Sequence, residues 1–252
     1  MRESESGRVA IVTGGSRGIG LQVAQQLLRA GWNVCITGRK QEALGNAAAI
    51  LPATDRLLAV AGWAQDSAHQ QEVVETVMNR WGRIDGLINN AATSPFLGDL
   101  VDADIERVER AFAMNFIAPW SWTKRVYNAY MREHGGSIVN IASIGGMYPV
   151  PRVGLYNVTK AAVIHMTKQM GLEMAPKVRV NALAPATIKT DFAKAKYEGR
   201  EEEVADQYPL RRLGTPEEVA EAALMLLEGK LDWMTGQTIV LDGGASLIQG
   251  VR

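Results

Sequence analysis

Residues 9–20 read VAIVTGGSRGIG, four apolar residues running into a glycine-rich turn, after which Leu21, Ala24, Leu27 and Leu28 recur at helical spacing. An apolar run this short suits a strand buried on both faces, and glycine is what a chain needs where a strand turns sharply into a helix. Gly14, Gly18 and Gly20 stand at that junction. Backbone there can approach a pyrophosphate closely, at the N-terminus of the following helix. The spacing is G-x-x-x-G-x-G rather than G-x-G-x-x-G, and by itself it serves a structural turn as well as a nucleotide site. "AGWN" then closes the helix at Gly31, and residues 33–37 form a second strand.

Further strands are expected at residues 57–60, 86–89, 137–141, 178–182 and 238–241, with helical patterns between them. That alternation is the mark of βαβ units and a parallel sheet. The fold class expected is α/β: a single doubly wound Rossmann-type domain over residues 1–252, with a seven-stranded parallel sheet flanked by helices. "LGTPEEVAEAALMLLEG" is the best-marked helix, with Thr215 as N-cap, Pro216 at N1, Glu218 completing a capping box and Gly229 at the end. Residues 191–212 are highly charged with little β character, and are expected to form a helical insertion covering the substrate.

Composition limits the function classes. Lys plus Arg equal Asp plus Glu at 27 each, so no long-range field favours nucleic acid or an anionic membrane. One cysteine excludes an intrachain disulfide, and His69, His134 and His165 have no metal-ligand spacing, so no metal is expected. "MRESESGR" is neither a signal segment nor a lipid anchor, and no uninterrupted apolar stretch reaches membrane-spanning length. The expected address is cytoplasmic. The six tryptophans, Trp32, Trp63, Trp81, Trp120, Trp122 and Trp233, have no stacking period and read as core or interface anchors.

Chemistry concentrates in SIGGMYPVPRVGLYNVTK, residues 143–160. Tyr156 and Lys160 are four apart, so a helix beginning near Tyr156 puts both on one face, where an ammonium can lower a phenol pKa. Ser143 lies just beyond a strand, on the carboxyl edge where open α/β sheets bind ligands. Alone, Tyr-x-x-x-Lys also fits an ordinary helix surface.

Taken together, the residues resemble the short-chain dehydrogenase/reductase family from about Arg8 to Gly244. The motifs are "TGGSRGIG", "NNAA" at 89–92, Asn115 in "AMNF", Ser143, "YNVTK" at 156–160, "PATIKT" at 185–190 and "LDGG" at 241–244. The resemblance implies a catalytic tetrad of Asn115, Ser143, Tyr156 and Lys160. In it tyrosine exchanges a proton with substrate oxygen while hydride moves to or from nicotinamide, lysine lowers the tyrosine pKa and bonds the nicotinamide ribose, and asparagine holds a relay water. Cofactor contacts are assigned to Gly14, Ser16, Arg17, Gly18, Ile19, Gly20, Arg39, Lys40, Asn89, Ala91, Tyr156, Lys160, Pro185, Ile188 and Thr190. Bacterial 3-oxoacyl-carrier-protein reductases and related ketoreductases are the subfamily most similar. The family also implies a homotetramer, with helices around 103–131 and 156–174 at one interface and the C-terminal segment at another.

Charge at the second strand's end sets the cofactor. An acidic residue about 20 positions beyond the glycine motif would accept hydrogen bonds from ribose hydroxyls and repel a 2′-phosphate. Here "VCITGRK" supplies Arg39 and Lys40, and Arg17 can approach the same phosphate, so NADPH/NADP+ is expected in preference to NADH. Three departures stand out. Ala92 and Ala186 occupy family glycine positions, and "GWAQD" puts Trp63 and Ala64 where the adenine contact usually lies, with Asp66 later. The substrate is a small-molecule ketone or secondary alcohol, with Met147, Tyr148, Val150 and Val153 as an apolar wall. Acyl-carrier protein is a candidate partner through Arg132, Lys177 and Arg179. Alternatives are an oxidising sugar, steroid or secondary-alcohol dehydrogenase, and a silent dinucleotide-binding sensor or scaffold.

Overall fold

The computed structural model describes residues 7–52 and 55–248. Seven strands, β1 Val9–Val12, β2 Asn33–Gly38, β3 Leu57–Ala61, β4 Gly86–Asn89, β5 Gly136–Ile141, β6 Val178–Pro185 and β7 Thr238–Leu241, form one sheet in the order β3-β2-β1-β4-β5-β6-β7. Every neighbouring pair is parallel. The expected strands are all present; β6 runs on to Pro185 because its ladder with β7 continues to the Pro185–Leu241 pair.

The helices are α1 Gly18–Arg29, α2 Gln41–Ile50, α3 Ser67–Trp81, α4 Ile105–Phe112, α5 Ala118–Val126, α6 Arg132–His134, α7 Gly154–Glu173, α8 Lys194–Tyr197, α9 Glu201–Ala205 and α10 Pro216–Leu227. Two π-helical turns, Ala113–Ile117 and Tyr127–Met131, join α4, α5 and α6 into one run. The capping box opens α10 as its sequence dictates: Glu218 N–H donates to Thr215 Oγ1, and Thr215 N–H to Glu218 Oε2.

Alternate residues of β1 feed opposite layers, which explains its unbroken apolar run. Ala10 and Val12 join Ile36, Ile88, Val139, Leu27 and Leu226 on one face. Val9 and Ile11 join Leu87, Ile138, Val77, Trp122 and Val126 on the other. Each fully buried Val, Leu or Ile contributes roughly 1.5–3 kcal/mol. Strand order reverses between β1 and β4, and open α/β sheets hold ligands at the carboxyl ends of such a reversal.

Residues 191–212 differ from a single helical insertion. Gly199, at φ +76°, separates α8 from α9, and turns complete the segment. Of the tryptophans, Trp32 and Trp122 are buried in the core, while Trp63, Trp120 and Trp233 are exposed. At the C-terminus Ala245 is buried and Leu247 exposed; residues 249–252 of the tail lie outside the described residues.

Candidate active site

The turn after β1 is fastened by Thr13. Its Oγ1 donates to the Ile88 carbonyl (3.2 Å) and accepts the N–H groups of Asn90 (3.0 Å) and Ala91 (3.1 Å). Asn90 Nδ2 donates back to the carbonyls of Thr13 (2.9 Å) and Gly14 (3.1 Å). Gly14 and Gly18 take left-handed backbone, at φ +65° and +55°. Gly20 is required for a different reason: a Cβ there would strike the Gly14 carbonyl and lie 2.6 Å from Asn90 Nδ2. The protein's own packing, not a ligand, excludes that methyl.

Arg17 begins α1 without a side-chain cap, so the first-turn N–H groups around Gly18, Ile19 and Gly20 have no side-chain acceptor. That donor set fits an anionic diphosphate. Thr190 of the loop beyond β6 lies against Gly18, whose Cβ position is 3.2 Å from Thr190 Cγ2, and Thr190 Oγ1 donates to the Ile188 carbonyl (3.3 Å). Ile188 itself is buried. Ser16 Oγ borders Gly38 at the end of β2, and Arg39 and Lys40 follow, both exposed.

Several expected contacts take other places. Asn89 turns its amide into the core, where Nδ2 donates to Asn140 Oδ1 (2.8 Å) and Thr123 Oγ1 (3.2 Å); Asn90 is the side chain that reaches the turn. Arg17 Nη1 lies 3.4 Å from Asp191 Oδ2, and the Arg39 guanidinium lies 5.1 Å from the Trp63 ring centroid, so the two cations have separate partners. Asp66 caps α3 by accepting the Ala68 N–H at 2.9 Å. Ala92 and Ala186 carry no strain, because among the described non-glycine residues only Arg152 and Arg211 have positive φ.

On the carboxyl edge of β5, Ser143 accepts the Gly145 N–H at 3.1 Å, and its Oγ lies 3.5 Å from the Pro185 carbonyl. The Ser143 hydroxyl also lies close enough to the Tyr156 phenol to favour its ionised form. Lys160 is buried one turn along α7, with Nζ 5.5 Å from the Tyr156 ring centroid and donating to the Ile141 carbonyl at 2.6 Å. Gly146 makes this convergence possible: a Cβ there would lie 2.6 Å from the Lys160 carbonyl carbon and 2.8 Å from the Ala161 nitrogen.

The electrostatics differ from an ammonium simply acidifying its neighbour. Burial pushes the Tyr156 phenol up to about 12, opposed by the nearby Ser143 hydroxyl, and pushes Lys160 down to about 8. The Lys160 ammonium is turned to the Ile141 carbonyl, so desolvation outweighs its field at the phenol. Both groups therefore keep their protons at neutral pH.

Asn115 sits in the first π-helical turn, fully buried. Nδ2 donates to the Thr93 carbonyl (2.8 Å) and Thr159 Oγ1 (3.0 Å), and Oδ1 accepts the Thr93 N–H (2.8 Å). With both amide hydrogens committed, the side chain clamps the loop after β4 to α7 rather than donating to a relay water. Phe192 covers the site, its ring 5.9 Å from that of Tyr156. Thr13, Gly146 and Phe192 were not separable from the sequence; the threonine ending a buried strand and the paired glycines after Ser143 were the available signals.

A family model described as enoyl-(acyl carrier protein) reductase matches residues 14–246. The chain belongs to the short-chain dehydrogenase/reductase family. It is 38% identical over 251 residues to dehydrogenase/reductase SDR family member 4 of Oryctolagus cuniculus, covering 97% of this chain and 95% of that protein. Among solved structures, ElxO with NADP bound superposes at a TM-score of 0.89 and 29% identity, covering 95% of this chain and 99% of that one. An actinorhodin polyketide ketoreductase variant with NADPH gives 0.90 and 29%, covering 97% and 99%. This short-chain dehydrogenase/reductase is thus an oxidoreductase, and no helix among its described residues is long and apolar enough to cross a membrane.

Proposed function

We propose that the protein is an NADP(H)-dependent ketone reductase, running in reverse as a secondary-alcohol dehydrogenase, with Tyr156 as general acid and base. The observation that carries this reading is the convergence of Ser143, Tyr156 and buried Lys160 on the sheet edge that also bears the glycine turn. ElxO with NADP and the ketoreductase with NADPH support the cofactor, as do exposed Arg39 and Lys40 where an acidic residue would repel a 2′-phosphate. The nicotinamide cofactor, when bound, supplies or accepts the hydride.

The chain's own residues do the rest. Ser143 and Tyr156 both offer hydroxyls to one carbonyl oxygen, which gains negative charge during reduction. Tyr156 then gives that oxygen its proton; a phenol held protonated by burial is already in the acid form reduction needs. Lys160, fixed on the Ile141 carbonyl, keeps a buried positive charge beside the phenolate that remains. The first turn of α1 binds diphosphate, Arg39 the 2′-phosphate, and Arg17 joins it by exchanging Asp191 for phosphate.

Two hydroxyls aimed at one oxygen favour a carbonyl over an isolated carbon–carbon double bond. The apolar faces of Phe192 and Met147 suit a ketone with apolar substituents, 3-oxoacyl thioesters among them. Exposed Ile105, Ile117, Trp120, Val158 and Leu172 on α4 to α7 support a homotetramer. Light scattering reads this directly, and a monomer mass contradicts it.

The test is NADPH consumption over β-keto thioesters, free β-keto esters, cyclic ketones, sugars and an enoyl thioester. With the best ketone, wild type should favour NADPH over NADH by about two orders of magnitude in kcat/KM, and Arg39→Asp should erase or reverse that preference. Equal use of both cofactors, an unshifted mutant, or turnover of the enoyl thioester alone contradicts the reading.

A further inference from the structure

The ends of β2 and β3 run level, because the Gly62 N–H donates to the Gly38 carbonyl at 2.9 Å. Arg39 and Trp63 therefore leave adjacent strands side by side, and the guanidinium carbon lies 5.1 Å from the indole centroid. Trp63 is 50% exposed although its chain neighbour is anchored. Ala64 is buried, and its carbonyl accepts both Gln70 Nε2 (2.8 Å) and Trp122 Nε1 (2.9 Å). The backbone beneath the indole is fixed, and the ring is held outward beside the residue proposed to bind the 2′-phosphate.

The carboxylate nearest Trp63 in the chain, that of Asp66, serves the following helix as the α3 N-cap. The group exposed at this edge is instead a large π-face, covered by a guanidinium in a contact that costs little to exchange at an exposed site. When Arg39 turns to a phosphate, the indole face it leaves is open to a flat ring.

We infer that Trp63 is the adenine platform of this protein, recognising the base by stacking and not through its exocyclic amine. This rests on the dinucleotide site proposed above. Stacking is indifferent to the base's hydrogen-bonding edge, so a hypoxanthine analogue should serve nearly as well as adenine. Stacking also acts on the base alone, so its loss should weaken NADPH and NADH alike.

Calorimetric dissociation constants for NADPH, NADH and the hypoxanthine analogue of NADPH test this without turnover. Trp63→Ala should weaken NADPH and NADH equally, by roughly 10- to 100-fold, while Trp63→Phe, which keeps a π-face, stays within about threefold of wild type. The hypoxanthine analogue should bind wild type within about threefold of NADPH. Unchanged affinity in Trp63→Ala overturns the inference. So does a loss confined to NADPH, which would make Trp63 only a rest for Arg39, or rejection of the hypoxanthine analogue by wild type. Wild type that binds neither dinucleotide defeats the proposed function itself, a different result from an indifferent Trp63→Ala.

Discussion

The floor of the site and the segment that covers it are built by opposite means. On the floor, Asn115, Thr159 and Lys160 are buried, and their polar atoms meet protein partners at 2.6–3.0 Å. In the cover, Arg17–Asp191, Lys194–Glu198 and Arg211–Asp206 pair with most of each side chain in solvent. A buried polar group that loses its partner costs about 1–3 kcal/mol, whereas exposed pairs are screened and contribute little. The two regions meet where Phe192 packs on Tyr156 and where the Tyr197 hydroxyl donates to the Thr190 carbonyl at 3.2 Å. The arrangement sets a buried, internally paired polar floor beside a surface segment held by exposed ion pairs.

The strongest way to break this contrast is at Gly146. Gly146→Ala places a methyl against the backbone of Lys160 and Ala161, forcing the Ser143 loop off α7. Displacement on the scale of 1 Å should lower kcat by about 10²-fold. Cofactor affinity should fall far less than kcat, because the glycine turn lies on the far side of β4 from that loop. Steady-state kinetics beside cofactor titration checks it; a mutant with wild-type kcat would show that the floor tolerates displacement.

A smaller effect sharpens the contrast through pH. Burial lowers Lys160 to about 8 in the folded chain from an ordinary 10.5, so between those values the unfolded state binds more protons and stability rises with pH. Tyr156 and Cys35, both pushed up to about 12, act in the opposite sense above their ordinary values. The relevant quantity is therefore the difference between wild type and Lys160→Met in urea unfolding. That difference should move in favour of wild type from about pH 8 to 10.5, and Lys194→Ala should leave the wild-type profile in place. A flat difference would mean that Lys160 is not desolvated, and a large change in Lys194→Ala would mean that the cover contributes to stability.

Legibility in the sequence followed the same division. Strands buried on both faces read plainly as apolar runs, and the α10 capping box was explicit in Thr215, Pro216 and Glu218. Ser143, Tyr156 and Lys160 were legible because one helical turn and one strand end fix their relation. Contacts between distant segments were not legible. No local pattern announces that Asn89 turns inward while Asn90 reaches the glycine turn, since adjacent strand residues face opposite ways and only the packed neighbours say which face holds the ligand. The cover read as one helical insertion because its charge suits helix, but Gly199 in left-handed backbone divides it. Arg17 looked free for phosphate in one dimension and meets Asp191 in three.

If Tyr156 carries the proton while a separate glycine turn holds the cofactor, Tyr156→Phe should part chemistry from binding. Phenylalanine keeps the ring that packs against Phe192 and removes only the hydroxyl. Measured with NADPH and the best ketone, kcat should fall by about two to four orders of magnitude while the NADPH dissociation constant stays unchanged. A kcat within about threefold of wild type would remove Tyr156 from the proton transfer.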